Sequence, residues 1–470
     1  MSSSHTVSGF DVLVLGAGPA GHKAAVQAAK VGKRVLIVDR EPAAGGECVQ
    51  RGTIPSKTLR ESAAYLVGLR ARSEAMFDLA LPERTQVAGL MRRLKAVRGA
   101  HERYLTAQLD RNGITRWHGR ARFLTSQRVE VQLPDRTKRI ATADVVIVAT
   151  GSRPRKPDNV PVDHEHVLDS DSILSLVYLP ASLTVLGSGV IASEFASIFA
   201  ALGVRVTMVD SSPRPLSFLD PELGSRFTSA YERTGGVFLG QSRIESVEWD
   251  GREVVTHLTG GEVVRAEKCL CAQGRIANVA GLDIAAAGIQ LTARGHVAVD
   301  ENLRTAAPNV YAAGDVIGPP ALAATAVEQG RRAARHALGL PIHAGSELVP
   351  SGIYTIPEIA SVGLDEAQAS KAHGRAFVGR ARYEELARAH VNGETEGLLK
   401  LVAGPDGRVL GCQVVGEGAT ALVHVAQMAI VGGLTVEAFV DNVFNFPTLA
   451  EAFRVAALDV VARMGERQAA

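Results

Sequence analysis

Gly16, Gly18 and Gly21 stand in the spacing G-x-G-x-x-G, and Asp39 follows about twenty residues further on. The first glycine permits a tight turn and the second lets the backbone approach a pyrophosphate. The third lets a helix pack closely on a strand. Pro19 and Ala20 open that helix, whose free N–H groups and dipole favour an anion. Asp39, followed by Arg40, is placed to accept hydrogen bonds from a ribose. Gly187, Gly189 and Ala192 repeat the pattern, with Val190 and Ile191 opening the second helix and Asp210 at the acidic position. Alanine at the third place still permits close packing, and an acid at 210 favours a free 2′-hydroxyl over a 2′-phosphate. Arg205 and Arg214 lie near enough in sequence to reach a 2′-phosphate, and Arg214 is the candidate for it. The chemistry implied is the binding of two dinucleotides.

Each glycine set needs a strand, a helix and a second strand to aim it. Residues 10–15 form an apolar run that predicts a buried parallel strand, and "KRVLIVDR" predicts the strand that ends at Asp39. "SLTVLGSGV", a helical stretch over 191–202 and "VRVTMVD" return the same order in the middle of the chain. Two copies so far apart form an internal repeat at domain scale, too long for a solenoid period. "ADVVIVATGSRP" predicts a strand stopping at Gly151, and "NVYAAGDV" one ending at Gly314 and Asp315. The arginine-rich stretch "MRRLKAVRGAHERYLTAQL" reads as a solvated helix. Near residue 346 the pattern changes. Strands such as "LLKLVAG" and "RVLGCQVVG" alternate there with helices over 419–431 and 449–463. The expected fold class is α/β, with two Rossmann-like domains and a C-terminal α+β domain.

Composition excludes several function classes. Lys and Arg total 51 against 49 Asp and Glu, so there is no basic footprint for nucleic acid or anionic lipid. Aromatic residues at 5% argue against a stacking surface for single strands. Glycine is in excess at 47 of 470 residues, in keeping with many turns and close backbone approaches. No window is apolar enough for a transmembrane helix, and residues 1–9 lack a secretion pattern. Four cysteines are too few for a disulfide framework, so a cytoplasmic location is the expectation. Cys269 and Cys271 share one face of an apolar strand without two further ligands nearby, and no metal site is expected. "DHEH" over 163–166 reads as a polar loop, and His424 as a packing or interface residue.

The stretch "GGECVQRGTIPSK", residues 45–57, resembles the redox segment of the FAD-dependent pyridine nucleotide–disulfide oxidoreductases. In that family two cysteines flank four residues. Here Cys48 holds the first position and Thr53 the second, so no redox disulfide can form within the motif. The resemblance runs from about residue 9 to about 465. It includes "VATGSRP" over 148–154, "AQGRIAN" over 272–278, "NVYAAGDV" over 309–316 and "YTIPEIASVG" over 354–363. The C-terminal signature is altered as well: Phe446 stands where the disulfide reductases have a catalytic histidine, while Pro447, Thr448 and Glu451 match.

The resemblance implies an FAD site made by Gly16 to Gly21, Asp39 and Arg40, by Gly46, Glu47 and Gly52, and by Thr53 and Lys57. To these it adds Ala149, Thr150, Gly151, Gly274, Arg275, Gly314 and Asp315, with the helix near Leu322 and Ala323 aimed at the flavin. It implies a Lys57–Glu194 pair beside the flavin, and a Phe446-to-Glu451 segment that completes the partner's site in a homodimer. The corresponding division is 1–155 and 283–345 for FAD, 156–282 for NAD(P) and 346–470 for dimerisation. The joint loss of thiol and histidine, with "RGTIPSK", "DSDSIL" and "FNFPT…EAF", is most similar to the branch that exchanges hydride between NADPH and NAD⁺. The alternatives are a diaphorase or quinone reductase of the same family, and a non-catalytic redox-sensing flavoprotein. Cys48, Thr53, Lys57, Glu194, Phe446 and Glu451 are the expected catalytic set.

Overall fold

A computed structural model describes residues 7–76, 87–342 and 348–465, with side chains left out for 70–76. The chain divides into two compact units. The first comprises Met1–Thr58, Ala88–Arg155 and Gly274–Ala344, and the second Leu59–Val87, Lys156–Gln273 and Gly345–Ala470.

In the first unit the strand Val7–Leu15 lies between Val35–Asp39 and Lys138–Val148, parallel to both. Thr115–His118 and Val310–Ala312 extend the parallel part of the sheet. Val12 to Leu15 and Val35 to Val38 are buried on both faces, which is why these strands are continuous apolar runs. The helices Pro19–Ala29 and Ala323–Ala337 cross on one face of the sheet. They meet backbone to backbone because Gly330 has no side chain: a Cβ there would lie 2.0 Å from the Ala20 carbonyl oxygen.

The second unit holds a five-stranded parallel sheet with Ser182–Leu186 between Arg205–Val209 and Lys268–Cys271. The helix Val190–Ala201 follows its central strand. A second five-stranded sheet is antiparallel, in the order Ser351–Ile353, Ile359–Gly363, Val409–Val415, Leu398–Ala403, Phe377–Arg382. Helices Ala419–Val431 and Glu451–Gly465 cover it over a core that includes Tyr383, Phe439 and Phe453. The fold class is thus the α/β arrangement with an added α+β sheet.

Two antiparallel segments were not legible beforehand, the hairpin Arg120–Thr125 with Arg128–Gln132 and the meander over 244–266. Their strands bury consecutive residues, Val129 to Val131 in one and Val254 to Thr256 in the other, so they give no clean alternation to read. The arginine-rich stretch is the helix Val87–Arg111, with Arg92, Arg93 and Lys95 exposed. Among the described residues no helix is long and apolar enough to cross a membrane.

Candidate active site

The turn after Val7–Leu15 has the form its glycines require. Gly16 has φ +109°, and a Cβ there would lie 2.3 Å from the Ala149 carbonyl oxygen. Gly18 is the N-cap of the helix and Pro19 its first residue, a place where the missing proline N–H costs nothing. Gly46 backs onto the turn: its φ is +56°, and a Cβ would come within 2.7 Å of the Gly18 Cα. Asp39 accepts hydrogen bonds from the N–H groups of Ala17 at 2.6 Å and Glu41 at 2.8 Å. Burial nevertheless pushes its carboxyl up from the ordinary value, so further donors such as ribose hydroxyls would favour its charged form.

Around this turn two buried polar atoms lack a partner, Oε2 of Glu47 and Oγ1 of Thr150. Buried polar atoms are as a rule hydrogen-bonded, so these two mark where a polar ligand belongs. The other Glu47 oxygen is paired with Arg51 at 3.1 Å and Arg40 at 3.6 Å. Asp315 is oriented by Ser152, whose hydroxyl donates to it at 2.7 Å, and Arg275 donates to that hydroxyl at 2.8 Å. Gln329 accepts from the Gly314 N–H at 2.8 Å. Arg275 thus reaches Asp315 through Ser152. Neither Ser152 nor Gln329 carries a sequence signal of its own. The helix Ala323–Ala337 has Leu322 as its N-cap.

Cys48 and Thr53 lie in two short-spaced helical segments, Gly46–Gln50 and the start of Thr53–Met76, with Gly52 between them. The Gly52 N–H donates to the Glu47 carbonyl at 2.6 Å. Burial pushes the Cys48 thiol up, against the hydrogen bond with Thr53 and the positive charge of Lys57. The thiol is therefore neutral at physiological pH. Lys57 Nζ donates to the Ser56 hydroxyl at 3.3 Å. Cys48→Ser should accordingly leave turnover within about threefold of the parent, less than one 1.4 kcal/mol decade, with an unchanged pH profile. Steady-state rates between pH 6 and 9 (roughly the span below an ordinary thiol pKa) check this. A loss of tenfold or more, or a vanished ionisation, would count against a spectator thiol.

In the second unit Gly187 has φ +110° and a Cβ would meet the Ala272 carbonyl at 2.8 Å, whereas Gly189 faces open space. Gly189 is the N-cap of Val190–Ala201, so the helix start at Val190 and Ile191 is left accessible, and Ala192 is fully buried. Asp210 accepts from the Ser212 N–H at 2.7 Å. Arg214 donates to the carbonyls of Leu216, Ser217 and Leu219, so its guanidinium braces its own loop. Glu194 is buried and accepts from the Tyr354 N–H at 2.9 Å. Lys57 and Glu194 belong to different units. Phe446 is 70% exposed, and Glu451 accepts from the Thr448 N–H at 3.1 Å at the start of the last helix. Cys269 and Cys271 are buried strand residues. Asp163 caps the N–H groups of Glu165, His166 and Val167, and His424 Nδ1 contacts Gln427.

Residues 10–330 match the model of the pyridine nucleotide–disulphide oxidoreductases, and 349–457 match the dimerisation domain of the same family. The chain belongs to that family. Among its relatives are proteins named soluble pyridine nucleotide transhydrogenase. That of Mycobacterium tuberculosis is 42% identical over 97% of this chain and 98% of its own length. That of Hahella chejuensis is 39% identical over 97% and 99%. The crystal structure of LpdA from Mycobacterium tuberculosis matches with a TM-score of 0.89 and 30% identity, covering 96% of this chain and 99% of that one. As in this oxidoreductase family at large, FAD is the cofactor. The residues here fit it: a turn where side chains are excluded at Gly16 and Gly46, and orphaned polar atoms at Glu47 and Thr150. The dimerisation domain makes this oxidoreductase a homo-oligomer.

Proposed function

We propose that the protein is an FAD-dependent transhydrogenase that moves hydride between NADPH and NAD⁺. The observation that carries this reading is the paired replacement of the second redox cysteine by Thr53 and of the catalytic histidine by Phe446, with both dinucleotide fingerprints kept. The overall exchange, NADPH and NAD⁺ giving NADP⁺ and NADH, moves one hydride and no net proton. It therefore needs neither a dithiol nor an acid–base histidine. Bound FAD supplies a centre that takes up and returns two electrons.

The chain's own residues bind and orient. The Gly16-to-Gly21 turn holds one pyrophosphate on its helix N-terminus, Asp39 a ribose, and Asp315 the flavin side chain. The Gly187-to-Ala192 turn receives the two nicotinamide nucleotides one after the other. Asp210, by its charge, sets the preference between them, while Arg214 braces the loop that follows it. Lys57 would supply positive charge to stabilise the bound cofactor, and Phe446 of the other subunit would keep water from the hydride path. The FAD parts 1–155 and 283–345, the NAD(P) part 156–282 and the dimerisation part 346–470 act as separate domains. The location is cytoplasmic, as its nucleotide substrates imply.

The test is a comparison of acceptors. With NADPH as donor, thio-NAD⁺ should be reduced at least about tenfold faster than quinones, with the parallel double-reciprocal lines of alternating binding. Faster quinone reduction would make the protein a diaphorase. A failure of NADPH to bleach the flavin would leave it a non-catalytic flavoprotein.

A further inference from the structure

Lys400 lies on the inner strand Leu398–Ala403 of the antiparallel sheet and is 3% exposed. Its Nζ does not stay within that sheet's own domain. It sits 2.7 Å from Oδ2 of Asp220, 3.3 Å from Glu222 and 3.7 Å from Glu366. Arg380, its cross-strand neighbour, reaches the same Glu222 oxygen at 3.1 Å and Glu366 at 3.7 Å. A buried ammonium persists only where its charge is met, and here three carboxylates meet it.

Asp220 has two tasks. Its Oδ1 caps the helix Pro221–Arg233 by accepting from the Glu222 N–H at 2.8 Å, while Oδ2 holds Lys400. Asp220 also ends the loop that begins after Asp210. That loop carries Leu216, fully buried with φ +50°, whose N–H donates to the Ser188 carbonyl at 2.9 Å. Ser188 is the middle residue of the Gly187–Gly189 turn. A path of direct contacts therefore runs from Lys400 through Asp220 and the braced loop to the backbone that must face the pyrophosphate.

We infer that Lys400, a residue of the dimerisation segment, is a positioning residue for dinucleotide binding in the NAD(P) segment of the same chain. It holds the end of the 211–220 loop, and the loop holds the glycine turn in register. The inference rests on the reading that this second fingerprint binds the nicotinamide nucleotides.

Lys400→Met removes the charge while keeping an apolar stem. In the FAD-loaded protein, the Kd values of NADP⁺ and NAD⁺ by titration calorimetry should each rise about tenfold or more, one decade of binding. The kcat at saturating nucleotides should stay within about threefold, a split that a loss of general stability would not produce. Arg233→Ala breaks the exposed Arg233–Glu396 pair between the same two segments and should change neither. Asp220→Asn keeps the helix cap but weakens the tie to Lys400, and should raise both Kd values about threefold even if Lys400→Met does not fold. Kd values within error of the parent in either folded variant, or an equal effect from Arg233→Ala, would overturn the inference. A parent protein that binds neither nucleotide would instead overturn the functional reading.

Discussion

Gly21→Ala should yield protein that purifies without flavin. A Cβ at this position would lie 1.9 Å from the Gly16 carbonyl oxygen and 3.0 Å from the Val14 side chain. The Gly16 contact is backbone and the Val14 contact is a short branched side chain on a buried strand, so neither yields as the end of a long flexible side chain would. The helix Pro19–Ala29 must move away, and it carries the N–H groups proposed to receive the pyrophosphate. Overpacking of this kind costs about 1–3 kcal/mol or more, and displaced donors add to it. A loss of about a hundredfold or more in FAD affinity is the expected result, read as the flavin-to-protein absorbance ratio after gel filtration. Circular dichroism separates lost cofactor from lost fold. A stoichiometrically yellow variant would show that the helix can pack without the glycine.

Lys57→Met should keep FAD but lower kcat/KM for hydride exchange by about a hundredfold, the scale seen when one preorganised electrostatic contact is removed. Lys57 lies one turn into the helix Thr53–Met76, and its charge is felt at Cys48. Methionine preserves the length and helix propensity of the side chain, so charge is the main change. The effect should appear in the rate of flavin bleaching by NADPH in rapid mixing, with little change in nucleotide affinity. Undiminished bleaching would remove Lys57 from the electrostatics of the reaction. In neither protein should reduction produce the long-wavelength band of a thiolate stacked on flavin, because burial keeps Cys48 neutral and Thr53 offers no thiol.

Local features were readable because they rest on local geometry. A strand, a turn that needs glycine and a helix that starts at an anion leave a fixed spacing, so both fingerprints were visible at Gly16 and Gly187. Thr53 and Phe446 were informative in the same way, each being a departure inside a short motif. Asp315 stands out as a candidate within its motif, but the groups that orient it do not. Ser152 and Arg275 reach it from segments more than a hundred residues apart in the chain. Arg214 shows the limit from the other side. Proximity in sequence suggested a phosphate ligand, while the folded loop uses its guanidinium on three carbonyls.

By itself the sequence determined the family, the two glycine fingerprints and the missing dithiol within its motif, since each is written in residues a few positions apart. Only the tertiary structure decided that Glu194 is held by the Tyr354 backbone and that Lys400 meets Asp220. Those partners are 160 and 180 residues distant along the chain. No periodicity links them, because a buried charge selects whichever opposite group the packed sheets bring within about 4 Å, and that choice is made by chain closure rather than by neighbours.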